Sequence, residues 1–319
     1  MTDTPPEDGA LELTVIVVSY NTRALTLKCL ETLYDATREV AFETILFDNA
    51  SSDGSADAVA DAFPQVRLVR SGENLGFARA NNEAAKLAGG AWLLLLNPDT
   101  EVHDGAIDRL IAFAKAHPQH GIYGGRTVFP DGSLNIASCW NRITPWSAFC
   151  MAVGLTALFK RSALFNPEGM GAWRRDSVRE VDIVVGCFFL IPRALWRELE
   201  GFDTRYYMYG EEADLCLRAA ARGWRPVITP DATIMHLVGA ASATRAAKVV
   251  QVAKARTTLI DTHWRPGLRG WGRAMMWLWG AMRYAGSQIL ALAPGRRHKE
   301  RRALWRAVWR ERRDWMASY

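Results

Sequence analysis

Three hydrophobic runs near the start of the chain each end in polar residues, and that repetition constrains the fold more than any other feature. Val15-Ile-Val-Val-Ser-Tyr-Asn21 is the first, Phe47-Asp-Asn-Ala-Ser-Ser-Asp-Gly54 closes the second, and Leu93-Leu-Leu-Leu-Asn-Pro-Asp99 is the third. Continuous apolar runs without alternation read as strands buried on both faces, here Leu13 to Ser19, Phe42 to Phe47 and Trp92 to Leu96, with Val66 to Val69 as a shorter fourth. Segments of helical spacing fall between and after them: Leu25 to Tyr34, Ser55 to Phe63, Phe77 to Leu87 and Ala106 to Ala116. Strands and helices alternating at this pace imply right-handed βαβ units and a parallel sheet. Ligands of open α/β sheets bind just outside the carboxyl ends of the strands, so the polar residues ending the runs mark a candidate site.

After Gly121 the pattern changes. Ile122 to Phe129 and Leu134 to Ser138 read as a hairpin around Pro130-Asp-Gly-Ser133. Asn141 to Arg175 has no clean period and reads as an irregular, functional insertion. Val181 to Ile191 reads as one buried strand, Arg193 to Leu199 as a short helix, Glu211 to Ala221 as a helix ending at Gly223, and Pro226 to His236 as a last strand. The expected organisation is a flexible stretch 1–10, a domain 11–245 with a donor-binding half 11–120 and an acceptor-side half 121–245, and a helical tail 246–319.

Charge is unevenly spread. From Arg265 onward there are 13 Lys/Arg against 3 Asp/Glu, leaving 26 basic and 31 acidic residues in the rest; seven of the thirteen tryptophans lie at or beyond Trp264. An acidic body with a basic, Trp-rich tail follows. The first residues are polar, without the basic start or apolar run of a secretion signal, and the five scattered cysteines show no CxxC, so a cytoplasmic, reducing setting is expected and a zinc ribbon or disulfide framework is not.

Several residues carry chemistry. Asp48 and Asp53 sit in a loop whose composition also suits an ordinary turn; the functional alternative is a carboxylate accepting the N3–H of uracil or thymine. Asp99 closes four leucines, where an unpaired buried charge is costly but where it suits a divalent cation on a diphosphate, since Mg²⁺ and Mn²⁺ take one or two carboxylates plus substrate phosphates. His236 is either a polar strand end or a nitrogen ligand favouring Mn²⁺. Glu211-Glu-Ala-Asp-Leu-Cys-Leu-Arg218 is an acidic helix start, explicable by capping or as a catalytic cluster, with Asp214 and Arg218 spaced for a helix-face pair. Trp173, Arg174, Arg175 and Asp182 are either a solvated loop or an acceptor lid.

Taken in order, Val18-Ser-Tyr-Asn21, Asp48 to Ser55, Asn74-Leu-Gly-Phe-Ala-Arg-Ala-Asn-Asn82, Asn97-Pro-Asp99, Gly201-Phe-Asp203, Tyr209 to Arg218 and Pro230-Asp-Ala to His236 resemble the family 2 inverting glycosyltransferases, closest to their rhamnosyltransferase-like branch, over about residues 11 to 245. The resemblance implies an α/β GT-A-type nucleotide-sugar-binding fold with a mostly parallel central sheet, followed here by C-terminal amphipathic helices. It implies a metal-dependent, inverting hexosyl transfer from a dTDP- or UDP-sugar, with dTDP-rhamnose the specific expectation, to a lipid-linked or polysaccharide acceptor of the cell envelope. It gives Glu212 the role of catalytic base, with Glu211 and Asp214 placed beside it on the acceptor side with the Trp173–Asp182 lid. It makes Ser19, Tyr20, Asn21, Asp48, Asn49, Asp53, Asn74, Gly76, Asn81, Asn97 and Asp99 a donor site, and Asp99 with His236 the holders of Mg²⁺ or Mn²⁺. Two departures stand out: Asn97 replaces a more usual aspartate, and Glu211-Glu212 replaces a pair whose second member is commonly aspartate.

The tail matches none of these motifs. Trp271 to Ala293 is long enough to span a bilayer, but Arg273 and Arg283 lie inside it. Arg301 to Met316 is amphipathic, with Leu304, Trp305, Val308, Trp309, Trp315 and Met316 as one stripe among arginines. Such a helix lies on anionic membrane, here the inner face of the plasma membrane, or packs on its own domain or on a second copy. A nucleic-acid partner is disfavoured by the acidic body and by the lack of a recognition motif. The rival functions are a nucleotidyltransferase, which would carry a Gly-rich basic loop after the first strand, and a non-catalytic nucleotide-binding scaffold at the membrane surface.

Overall fold

The computed structural model describes residues 11–237, 244–293 and 295–319; the N-terminal stretch 1–10 lies outside them. Contacts divide the chain into two units: Met1–Trp140, Arg174–Tyr207 and Glu211–Ala241 form one, and Asn141–Trp173, Met208–Gly210 and Ser242–Tyr319 the other. The first unit begins with β1 (Leu13–Ser19), α1 (Arg23–Ala36), β2 (Phe42–Asp48), α2 (Ser55–Ala62), β3 (Arg67–Arg70), α3 (Gly76–Lys86), β4 (Trp92–Leu96), β5 (Thr100–Val102), α4 (Ala106–Ala116), β6 (Tyr123–Val128), β7 (Leu134–Asn135) and β8 (Cys139–Trp140). The second unit takes α5 (Pro145–Val153) and α6 (Leu155–Leu158). The first resumes with β9 (Arg179–Glu180), β10 (Ile183–Val184), β11 (Phe188–Pro192), α7 (Arg193–Glu198), α8 (Glu211–Ala221) and β12 (Val227–His236). The chain ends, in the second unit, with α9 (Arg245–His263), α10 (Pro266–Leu290), α11 (Arg296–Arg310) and α12 (Arg312–Met316).

The main sheet runs β3-β2-β1-β4-β11-β6-β12-β5. β3, β2, β1 and β4 are parallel neighbours, β6 and β12 are parallel, and β11 is antiparallel to both β4 and β6. Apolar residues of β1, β4, β11 and β12 pack with α1 and α4 in one core, as the uninterrupted apolar runs require. Register then sets the site: Ser19 lies beside Asp48, and Thr100, next after Asp99, lies beside His236. The carboxyl ends of separate strands are thereby gathered on one edge.

The expected single strand from Val181 to Ile191 is broken. β10 pairs with β8 in a small second sheet, and β11 enters the main sheet. Gly186 sits at the break, where a Cβ would come within 3.2 Å of the Phe77 ring, so close packing on α3 replaces strand continuity. The expected hairpin is present as β6 and β7, antiparallel, with Val128 facing Leu134.

The second unit departs more from expectation. The insertion read as irregular contains α5, whose N-terminus is closed by a reciprocal Thr144–Ser147 cap with Pro145 in the first turn. That cap satisfies amides the helix start would leave orphaned. Trp264 donates to the Ile143 carbonyl at 3.1 Å, and Arg256 pairs with Glu168 at 2.7 Å. The stripe expected to face a membrane is turned inward: Val308 and Trp315 are buried. Trp305 and Trp309 meet Trp279 and Trp277 edge-on. Gly280 permits this, since a Cβ there would lie 2.8 Å from the Trp315 ring. Each such edge-on pair contributes about 0.5–1.5 kcal/mol beyond the apolar area it covers. Among the described residues no helix is long and apolar enough to cross a membrane.

Candidate active site

The edge at β1 and β2 is built from polar side chains that bind one another. Asn21, with φ 51°, receives Ser52 N–H on its Oδ1 at 2.7 Å, and its own amide donates to the Ser51 hydroxyl at 2.9 Å. Asp53 accepts from the Arg23 amide and the Ser55 amide, each at 3.0 Å, and from the Ser55 hydroxyl, so one carboxylate serves the first turns of both α1 and α2. Burial opposes its ionisation, but the Ser55 hydroxyl and these amides hold it below the usual carboxylate value. Ser19, expected at the donor, is buried, with its hydroxyl 3.0 Å from that of Thr22 and 2.9 Å from that of Thr26. Tyr20 is exposed above them.

A second network joins three loops. Asn49 donates to Asn74 Oδ1 at 2.9 Å and to the Gly76 carbonyl at 3.2 Å, and accepts from Leu75 N–H at 2.8 Å. Tyr207 donates to Asn74 Oδ1 at 3.3 Å and accepts the Phe77 amide at 3.0 Å. Gly76, with φ 76°, is required here, because a Cβ would fall 2.5 Å from the Tyr207 carbonyl oxygen. Asn81 lies deeper, bonded to the Phe77 carbonyl of its own helix at 2.9 Å.

Amid this saturation Asp48 is the exception. It is buried; Oδ2 accepts from Ser51 N–H at 3.1 Å, and Oδ1 has no hydrogen-bond partner. A buried acceptor without a donor is costly, and a nucleobase N–H would satisfy it.

The edge at β4 and β12 holds Asp99 and His236, both buried, with Asp99 Oδ1 3.3 Å from His236 Nε2. His236 Nδ1 is buried and unpartnered. Burial alone would lower the imidazole pKa, but Cys187 and the Asp99 carboxylate outweigh it and raise it to about 10. Cys187 was not singled out from the sequence; it follows Gly186 at the strand break, and its carbonyl accepts the Asn97 amide at 3.2 Å. Among the described residues no three His, Cys, Asp or Glu side chains form a metal cage. A carboxylate and an imidazole in contact, with a buried nitrogen unsatisfied, do fit a cation whose other ligands are phosphate oxygens.

α8 begins at Glu211, which is buried, followed by the half-buried Glu212. A Cβ on Gly186 would stand 4.0 Å from Glu212 Cβ, so Glu212 flanks the strand break that leads to Cys187. Asp214 is committed elsewhere: it pairs with Arg218 at 2.6 Å, and Arg218 also donates to the Gly201 carbonyl at 2.8 Å. Of the expected lid, Arg174 is exposed, while Arg175 is buried with φ 54°, its guanidinium 3.4 Å from the carbonyls of Ile136 and Cys139. Arg175 is a strut of that turn, because burial removes it from any phosphate in solvent. Trp173 belongs to the second unit and Asp182 to the first.

Solved structures of similar fold have been determined with nucleotides, sugars and Mn²⁺. The mannosyltransferase PcManGT of Pyrobaculum calidifontis, in complex with GDP-Man and Mn²⁺, matches with TM-score 0.58 at 18% identity, over 97% of this chain and 89% of that one. GalNAc-T7 with UDP, GalNAc and Mn²⁺ matches with TM-score 0.57 at 15% identity, over 94% and 55%. The fold is of GT-A type. Sequence likeness narrows this further: residues 14–182 match Glycosyl transferase family 2. The N-acetylglucosaminyl-diphospho-decaprenol L-rhamnosyltransferase of Mycobacterium tuberculosis is 32% identical over 239 residues, 70% of this chain and 75% of that protein. The O-antigen biosynthesis protein RfbC of Myxococcus xanthus is 28% identical over 241 residues, 72% of this chain but 18% of that protein. The chain belongs to glycosyltransferase family 2.

Proposed function

We propose that this glycosyltransferase moves rhamnose from dTDP-rhamnose, with inversion, to a hydroxyl of a diphospholipid-linked sugar at the inner face of the plasma membrane, in cell-envelope glycan synthesis. The observation that carries the reading is the buried Asp99–His236 pair on the strand edge, with Glu212 beside the Gly186 break. The mycobacterial relative's name supplies the sugar and the acceptor class.

Asp48 Oδ1 accepts the N3–H of the thymine or uracil ring, and the zipped loops around Asn21 and Asn49 hold that carboxylate in place. Asp99 and His236 hold a divalent cation, Mg²⁺ or Mn²⁺. When bound, it neutralises charge on the departing diphosphate. Glu212 takes the proton of the acceptor hydroxyl as its oxygen attacks the anomeric carbon from the face opposite the diphosphate. General base catalysis of this kind contributes ~10²–10⁴-fold, and holding donor and acceptor together contributes more.

The test is a transfer assay with purified protein, a panel of nucleotide sugars and a polyprenyl-diphosphate-linked N-acetylglucosamine. Release of nucleoside diphosphate with sugar appearing on the lipid, fastest with dTDP-rhamnose, is expected. Release of pyrophosphate would point to nucleotidyl transfer, and turnover restricted to another donor would overturn the sugar.

A further inference from the structure

One arginine of the main sheet stands without a partner. Arg126, the fourth residue of β6, is half-buried. Its Nε is buried and unbonded, and none of the described residues forms a hydrogen bond or ion pair with its guanidinium. Other arginines drawn into the same unit are answered within it. Arg218 pairs with Asp214, Arg193 donates to the Ala88 carbonyl, and Arg175 lies against the carbonyls of Ile136 and Cys139. Taking a cation partly out of water without a counter-charge is costly, and none of the described groups offsets that cost. A bound anion would.

The backbone fixes where the guanidinium emerges. Alternate residues of a strand share a face. A Cβ on Gly124 would lie 2.5 Å from Val184 Cγ1 and 3.5 Å from Ile228 Cγ2, whereas one on Gly125 would meet the Phe188 ring. Arg126 therefore leaves the sheet on the Val184 face. α8 packs on that face, with Cys216 Sγ 3.9 Å from the Val184 carbonyl, and Glu212 lies one helical turn before Cys216 on the same side of α8. Arg126 also stands toward the carboxyl end of its strand. It is in register with Thr233 of β12, and Val128 with Met235, the residue before His236. From Thr233 to His236 is roughly 10 Å of strand, a gap that an arginine stem and a diphosphate close together.

Chemistry selects the ligand. A guanidinium fork matches two phosphate oxygens at once and keeps its charge in a partly dry site. The proposed reaction brings two diphosphates to this edge, one on the donor and one on the lipid acceptor, and the Asp99–His236 cation answers only the departing one. We infer that Arg126 holds a diphosphate oxygen of a substrate on the Glu212 face of the sheet. This rests on the proposed transfer reading, yet phosphate binding can be measured without turnover.

Two probes are titrated by calorimetry: dTDP with Mn²⁺, and farnesyl-diphosphate-linked N-acetylglucosamine. Arg126→Gln keeps polarity but no charge, and should weaken binding of one probe by about tenfold to hundredfold. Arg126→Lys, with charge but no fork, should weaken the same probe less. Loss for dTDP assigns the donor's diphosphate, and loss for the lipid-linked sugar assigns the acceptor's. Melting should stay at the parental temperature in both variants, since the side chain gives the fold no bond. Parental affinity of Arg126→Gln for both probes overturns the inference. So does a fall in melting of several degrees with affinities unchanged, which would make Arg126 a strut. Weakened probe binding by Arg126→Gln of a parent that transfers no sugar would sink the transfer reading and leave the phosphate site standing; parental transfer rate and KM values in Arg126→Gln would do the reverse.

Discussion

Apart from Asp48, the two ends of the same strand edge treat polar side chains in opposite ways. At β1 and β2, Asn21, Asn49, Asp53 and Asn74 bond to one another and to backbone amides. At β4 and β12, Asp99 and His236 have each other, and the imidazole keeps a buried nitrogen unpartnered. On the proposed function, the difference separates scaffold from the groups that hold a ligand. A saturated network holds geometry and asks for no ligand, whereas an unsaturated buried group carries a cost that a bound ligand removes.

The largest expected effect lies where that contrast is sharpest. Glu212→Gln keeps shape and hydrogen bonding but cannot accept a proton, so transfer should fall by roughly two to four orders of magnitude with donor affinity near that of the parent. If Glu211→Gln is the crippled enzyme and Glu212→Gln stays active, the base has been placed one residue too far along α8.

Next comes the Asp99–His236 pair. Its imidazole pKa of about 10 in the metal-free chain lies above the unfolded value of about 6.5. The pairing therefore stabilises the metal-free fold fully below about pH 6.5, and that contribution is lost as pH rises through about 10. Cation uptake must displace the same proton, so its affinity should climb by up to about tenfold per pH unit across this window. Calorimetry of Mn²⁺ binding with nucleoside diphosphate, in buffers of different ionisation enthalpy, reads both the slope and the proton. Asp99→Ala should abolish cation-dependent nucleotide binding. A flat pH profile in the parent would mean that His236 is not a ligand.

A smaller effect is expected from Asn49→Ala, which breaks three bonds of the network joining β2, the 74–76 turn and Tyr207. Leaving buried partners unsatisfied should cost about 2–3 kcal/mol of stability. Because Tyr207 lies four residues before Glu211, the variant should also lower kcat more than it raises KM. Denaturant unfolding and steady-state kinetics check the two parts, and a pure KM effect would make Asn49 a donor contact.

Much of the sheet was legible because its strands are buried on both faces: the apolar run from Leu13 to Ser19 has the same bounds as β1, and Trp92 to Leu96 those of β4. What could not be read was set by contacts distant in sequence. The break at Gly186 depends on the Phe77 ring of α3, and nothing near Cys187 announces that His236 will be its neighbour. Thr144, Pro145 and Ser147 spell the cap of α5 in the sequence, but an aromatic-rich helix packed on several sides shows no clean period. The stripe of α11 is plain in the sequence, while what covers it depends on Gly280 of α10. Within the site, sequence marked Asp48 and Asp53 alike; only the partners of each oxygen separate them.

Asp53 should give the smallest effect, and it tests that separation most directly. Its oxygens are occupied by the amides of Arg23 and Ser55 and by the Ser55 hydroxyl, so it acts as a shared cap for two helix starts. An exposed cap of this kind contributes under about 1 kcal/mol once solvent screening is allowed for. Its carboxyl is held below the ordinary value, so the contribution is present above about pH 4 and is lost as pH falls through the folded value. Asp53→Asn should therefore flatten the acid side of the stability profile slightly and leave nucleotide affinity within about twofold. Asp48→Asn presents an amide where a nucleobase N–H needs an acceptor, and should weaken binding by about tenfold or more. Equal losses in the two variants would mean that Asp53 also reads the donor, and the division between the saturated loop groups and Asp48 would fail at β2.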